Sequence, residues 1–109
     1  MKTAQAVTAL AALAQDTRLA IYRLLVQRGP GGLAAGDIAK RLGLAGATLS
    51  FHLKELTHAG MIEPRQEGRF VYYSANYAQM NSLLGYLSEN CCQGEGCVTV
   101  APKSQRKRA

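Results

Sequence analysis

Apolar residues recur along this chain at two spacings, and the change from one to the other divides it into helices and a hairpin. Thr3 to Ala14 is half alanine, the best helix former, and Val7, Leu10 and Leu13 fall on one helical face. A second helix is predicted from Asp16, whose carboxylate can cap free backbone donors. That helix turns Ile21, Leu24 and Leu25 inward and Arg18, Arg23 and Arg28 toward water, and it ends at Gly29-Pro30-Gly31-Gly32. A shorter pattern from about Ala35 to Leu42 sets Ile38 and Leu42 one turn apart, and Gly43 closes it. The next helix, Ala45 to Ala59, lines up Leu49, Leu53 and Leu56, with Ala47, Ser50, Phe51, Lys54 and His58 largely opposite and Gly60 as its C-cap. Two helices joined by so short a Gly-containing turn match a helix-turn-helix, whose second helix can enter the major groove of DNA.

From Met61 the period drops to that of strands. Met61 to Gln66 and Arg69 to Ser74 flank Glu67-Gly68, a pair suited to a hairpin turn, and Pro64 requires an edge strand. A last amphipathic helix is predicted over Asn76 to Asn90, with Tyr77, Met80, Leu84 and Leu87 on a band and Leu83 beside it. Residues 1–90 therefore read as one winged helix-turn-helix domain, mainly α with a small β-hairpin. Residues 91–109 show no periodicity and read as a flexible, cysteine-containing C-terminal tail.

Charge sharpens this less than it first promises. Thirteen Lys and Arg against seven Asp and Glu give +6 and favour an acidic partner, either nucleic acid or a membrane surface. Four of the basic residues, Lys103, Arg106, Lys107 and Arg108, lie in the tail, so residues 1–100 carry only +2. Between Gly36 and Ser74 the excess is +1. The order of helices, more than the net charge, points to DNA. No run approaches the roughly 18 apolar residues of a membrane span, because Asp16, Arg18, Arg23 and Arg28 interrupt the N-terminal apolar region. No secretory signal pattern is present either, so a cytoplasmic chain with reduced thiols and no membrane partner is expected. On the second helix of the motif, Ala47, Thr48, Ser50 and Phe51 come early enough to approach base edges, while Lys54 and His52 suit phosphates. Arg65 and Arg69 flank the hairpin turn and are expected along the DNA backbone or in the minor groove.

All three cysteines, Cys91, Cys92 and Cys97, fall within seven residues. Thiolates are soft donors that select Cu(I), Zn(II) and, by the same reasoning, trivalent arsenic or antimony. Three sulfurs satisfy trivalent arsenic, whose lone pair fills the fourth direction. Adjacent cysteines bind one ion poorly from a regular helix, so the chain is expected to leave helix there, and Gly94 and Gly96 let it turn back toward Cys97. Three other readings stay open. Structural zinc would need a fourth ligand such as Glu95 or a residue of another chain. Thiol redox sensing would oxidise Cys91 or Cys92 and resolve it with Cys97. The cluster could also be inert. An enzyme is not expected: residues six after Cys91 and Cys92 are Cys97 and Val98, which excludes the C-x5-R loop of one arsenate reductase class, and no G-x-S-x-G, H-E-x-x-H or phosphate loop occurs.

The stretches "LAQDTRLAIYRLL", "DIAKRLGL", "ATLSFHLKELTHAGMI" and "GRFVYYS" together resemble the ArsR/SmtB family, small dimeric bacterial repressors that release DNA on binding a metal or metalloid. The resemblance covers about Leu10 to Ser88. It implies a homodimer joined through the first and last helices, here by Val7, Leu10, Leu13, Met80, Leu83, Leu84 and Leu87, with the second motif helix and the wing on operator double-stranded DNA. Two sensor sites of the family are missing. Ala34, Ala35 and Gly36 stand where arsenic-responsive members carry Cys-Val-Cys, and Asn76 to Glu89 has no His and one acidic residue where a zinc site uses Asp, Glu and His. Cys91, Cys92 and Cys97 instead resemble the C-terminal thiolate site of a subset of arsenic-responsive members. The function implied is a repressor that leaves its operator when As(III) or Sb(III), the inducer, binds the three cysteines, with no organic cofactor. A redox-sensing or zinc-binding repressor is the alternative, and a helical interaction module is the reading left if the chain binds no duplex DNA.

Overall fold

Six helices and three strands follow one another in the computed structural model, which describes residues 1–94. They are α1 (Thr3–Leu13), α2 (Asp16–Arg28), β1 (Leu33–Ala34), α3 (Ala35–Leu42), α4 (Gly46–His58), β2 (Ile62–Glu67), β3 (Phe70–Ala75), α5 (Tyr77–Leu87) and the single turn α6 (Cys91–Gly94). The predicted helix order and winged helix-turn-helix architecture hold. Three local expectations change. Gln15, not Asp16, caps α2, its Oε1 accepting from the Arg18 N–H at 2.9 Å. Asp16 opens the helix instead, where its charge meets the positive end of the helix dipole. The hairpin register pairs Glu67 with Phe70, so the two-residue turn is Gly68-Arg69, with Gly68 at φ +64°. Ala59 is the C-cap of α4, and Gly60 follows it at φ +78°.

The sheet also has a strand that the hydrophobic pattern does not reveal. Leu33 and Ala34 pair antiparallel with Tyr73 and Tyr72, giving the order β1-β3-β2 and leaving Pro64 on an edge strand as its missing N–H requires. Two residues are too few to display an alternation. The approach to β1 depends on Gly32, at φ +74°, where a Cβ would come within 2.5 Å of the Tyr73 carbonyl oxygen. Asn76 joins the hairpin to the helices on either side. Its Oδ1 accepts from the Gln79 N–H and caps α5, while its Nδ2 donates to the Gly60 carbonyl.

Ile21 and Leu25 of α2, Ile38 of α3, Leu56 of α4, and Met61 and Ile62 at the start of the wing make the fully buried centre. Each such side chain contributes roughly 1.5–3 kcal/mol on burial. The first helix differs. It buries only Ala6, Ala9 and Ala12, about one methylene-equivalent of roughly 0.8 kcal/mol each, and leaves Val7 and Leu10 exposed. On α5, Leu83 is buried in the chain's own core, whereas Leu87 is exposed. Leu83 was expected in a dimer interface and is removed from it by this packing. Leu13 and Met80, also expected there, lean partly on the same core, and Leu84 is half-buried. Among the described residues no helix is long and apolar enough to cross a membrane.

Tyr22 is buried beside α5, and its hydroxyl finds no hydrogen-bond partner among the described residues. Burial, with Tyr77 adding a smaller repulsion, pushes its pKa up to about 12. A native pKa raised above the unfolded value of 10.0 means that the stabilisation is complete below pH 10 and is lost as pH climbs from 10 toward 12. Tyr22→Phe is expected to abolish this alkaline loss and, by deleting an unpaired hydroxyl, to keep or slightly raise stability at neutral pH, as urea unfolding at pH 8 and pH 11 would reveal. Gly32→Ala is expected to lower stability by about 2 kcal/mol or more, whereas Gly31→Ala, in open space with an ordinary φ, changes it by less than about 0.5 kcal/mol. The same titration at fixed protein concentration compares the pair.

Candidate nucleic-acid interface

The helix-turn-helix is built around Gly43, which adopts φ +65°, ψ 40° at the end of α3, while the Leu44 N–H bonds back to the Ala39 carbonyl at 3.0 Å. Ala45 then starts α4 with no side-chain cap, so no cap competes for the first backbone donors of a helix whose opening residues Gly46, Ala47 and Thr48 are exposed. Leu49, Leu53 and Leu56 anchor the helix by one buried stripe. The opposite surface presents Ala47, Thr48, Ser50, Phe51 and Lys54 to solvent, as the periodicity predicts, and Phe51 is 56% exposed. Backbone donors, hydroxyls, an aromatic ring and an ammonium on one convex face can meet phosphates and base edges together.

His52 does not join them. Its side chain is buried, and its Nδ1 lies 3.3 Å from Nη1 of Arg18. Arginine can only donate, so Nδ1 accepts and the ring keeps its proton on Nε2. Phe51 packs edge-on against the same ring, with centroids 5.3 Å apart. The signal was in the spacing: His52 stands three residues after Leu49 and four before Leu56, on the shoulder of the buried stripe. Arg18, expected to be wet, is itself half-buried and also donates from Nε to the Ala12 carbonyl at 2.7 Å.

On the wing the two arginines differ. Arg65 donates through Nε to Glu67 Oε2 at 2.7 Å and through Nη2 to the Gly31 carbonyl at 3.2 Å, with its guanidinium 5.4 Å from the centre of the Tyr72 ring. Its charge is locally balanced, so it is a poorer candidate for phosphate than its position suggested. Arg69 occupies the hairpin turn, exposed, and Phe70 beside it is 57% exposed. Phe70 is a surface aromatic that the sequence reading did not single out; it stands directly at the turn, and that placement was available from the register of the hairpin.

Beyond α5 the chain leaves regular helix. Asn90, Cys92 and Gln93 all take left-handed backbone angles, and the Sγ atoms of Cys91 and Cys92 approach to 3.3 Å. Cys92 is disulfide-bonded. Cys97 and the basic residues Lys103, Arg106, Lys107 and Arg108 lie outside the described residues. Among the described residues no three metal-ligating side chains cluster.

Comparison with known proteins sets the chain among helix-turn-helix regulators. A helix-turn-helix domain family matches residues 13–65. The chain is 36% identical to the arsenical resistance operon repressor of Bacillus subtilis, over 78% of this chain and 81% of that one. It is 31% identical to the transcriptional activator HlyU of Vibrio cholerae, over 84% and 82% respectively. Its fold superposes with a TM-score of 0.62, at 28% identity and over 87% and 88% of the two chains, on the homodimeric winged helix-turn-helix DNA-binding domain of a possible ArsR-family regulator from Mycobacterium bovis.

The two environments on α4 and the wing separate in a salt titration. Lys54→Ala is expected to reduce the slope of log affinity against log salt for duplex DNA by about 1. Arg65→Ala, whose charge already faces Glu67, is expected to reduce it by less than about half that amount, and fluorescence anisotropy over a range of salt concentrations provides the measurement.

Proposed function

Because the chain belongs to the ArsR family of helix-turn-helix transcription regulators, we propose that it is a repressor that binds operator DNA as a homodimer and releases it when trivalent arsenic or antimony binds its cysteines. Residues 1–90 are the DNA-binding and dimerisation domain in this reading, and 91–109 are the sensing segment. Ala47, Thr48, Ser50 and Phe51 read bases, Lys54 meets phosphate, and Arg69 carries the wing onto the backbone. Val7, Leu10 and Leu87 supply exposed apolar surface on α1 and α5 for the second protomer, with Leu13, Met80 and Leu84 at its margin. A two-fold dimer calls for an inverted repeat with half-sites about one helical turn apart.

The observation that carries the sensing role is the approach of the Cys91 and Cys92 sulfurs to 3.3 Å in α6, shortly after α5. With metal–sulfur bonds of about 2.3 Å, as at zinc, two sulfurs this close can share one ion once the disulfide at Cys92 is reduced to the thiolate. Cys97 would be the third donor, completing a trigonal site that needs no fourth ligand. The segment follows directly on a helix assigned to the dimer interface, so ordering it around an ion can alter how the two DNA-binding units are set. A coupling of about 1–3 kcal/mol would weaken operator binding by about 5- to 150-fold. The names of the relatives support both halves unevenly: one is an arsenical resistance repressor and another an activator.

A second reading, thiol redox sensing, is favoured by one observation, the disulfide at Cys92. The two separate on the reduced protein. Arsenite is expected to bind at about one per chain and to release operator DNA by at least about fivefold, with peroxide having less effect. Cys91→Ser and Cys92→Ser should each abolish arsenite-driven release while leaving DNA affinity in its absence within about twofold. Release retained in both variants would sink the metalloid site, and release by peroxide alone, reversed by a thiol reductant, would establish the redox reading in its place.

A further inference from the structure

The first helix is held by polar contacts at its two ends, with methyl groups between them. At its start, the Thr3 hydroxyl hydrogen-bonds the Tyr86 hydroxyl of α5. Along its length only Ala6, Ala9 and Ala12 are buried, and such small side chains interdigitate too shallowly to fix the rotation or slide of a helix by themselves. At its end, the Ala12 carbonyl is one of the last-turn acceptors that lack an intrahelical donor, and Arg18 Nε satisfies it at 2.7 Å. The same planar guanidinium reaches His52 Nδ1 at 3.3 Å through Nη1. One rigid fork therefore binds α1 to α4, and the ring it holds on α4 is the one against which Phe51 packs edge-on.

We propose that Arg18 is a positioning residue for DNA recognition: by holding the Ala12 carbonyl and His52 together, it sets how Phe51 and its neighbours on α4 are presented to the bases. The proposal deepens the DNA-binding reading above and rests on it. Arg18 is half-buried behind the recognition helix, on the side opposite its exposed face, so its contribution is geometric and not a phosphate contact. Base contacts depend on placement to a fraction of an ångström, whereas non-specific binding depends on charge at the surface. Removing the fork should therefore damage discrimination between sequences more than it damages affinity for duplex DNA in general.

The test uses the full chain and a duplex that the wild-type protein enriches from a random-sequence pool, with a scrambled duplex of the same composition as reference. Arg18→Gln is expected to bind the enriched duplex at least about tenfold more weakly and the scrambled one within about twofold. His52→Leu should show the same selective loss and Arg18→Gln should add nothing to it, while His52→Gln, which can still accept from the guanidinium, should stay within about threefold of wild type. Parallel losses on both duplexes, or additive effects of the two substitutions, would overturn the proposal. If Arg18→Gln does not fold, the contrast between His52→Leu and His52→Gln on the two duplexes decides by the same criterion. A wild-type chain that enriches no duplex overturns the DNA-binding reading and this proposal with it; a discriminating wild type matched by an equally discriminating Arg18→Gln overturns this proposal alone.

Discussion

A helix that is to read a groove must leave most of its circumference in water, and in this protein that requirement falls on α4. One stripe, Leu49, Leu53 and Leu56, has to secure all thirteen residues of the helix. The rest of the fold serves that stripe. Ile38 of α3, Ile21 and Leu25 of α2, and Met61 and Ile62 at the base of the wing close over it from different directions. The ends of α4 are set by backbone geometry that only glycine adopts easily, Gly43 before it and Gly60 after it. Where the apolar stripe runs out, a polar contact continues the work, with His52 on its shoulder bound to Arg18 of α2.

The elements assigned to assembly are built to a different rule. The buried face of α1 is alanine and its apolar residues of size, Val7 and Leu10, turn outward. A single chain gains little from that helix, and Val7 and Leu10 leave apolar surface on it that the proposed second protomer would cover. The last helix divides its band instead: Leu83 goes to the core of its own chain and Leu87 to the outside. Charge follows neither pattern. The body of the chain has a small excess of positive charge, one of its wing arginines is already paired with Glu67, and affinity for a polyanion must come from a few placed groups and not from a general field.

Most of the fold was legible because it is carried by periodicity. The bounds of α3 coincide with those read from the sequence, and the ends of α1, α4 and the two wing strands shift by one residue. What was hidden was short or distant. β1 is two residues long and exists only through its pairing with Tyr72 and Tyr73. The contact between Arg18 and His52 joins positions 34 apart, so the spacing that sets His52 beside the buried stripe does not reveal its partner. Asp16 was a reasonable cap by residue preference, yet the same carboxylate is favourable one position later, and Gln15 takes the bond. A helical band cannot tell a residue buried in its own core from one buried against a partner, which is why Leu83 was misassigned. Arg65 was the most avoidable case, since side chains two apart on a strand share a face and Glu67 stands two residues on.

The proline on the outer strand of the wing has a bearing on assembly. β2 has a free edge, the place where a sheet recruits another strand and where aggregation begins. Pro64 removes a donor there, and the charged side chains of Glu63, Arg65 and Glu67 stand on either side of it in water. The β2 edge is thereby a dead end for strand pairing. This keeps the outer side of the wing a solitary projection, available to whatever its exposed tip is shaped to meet.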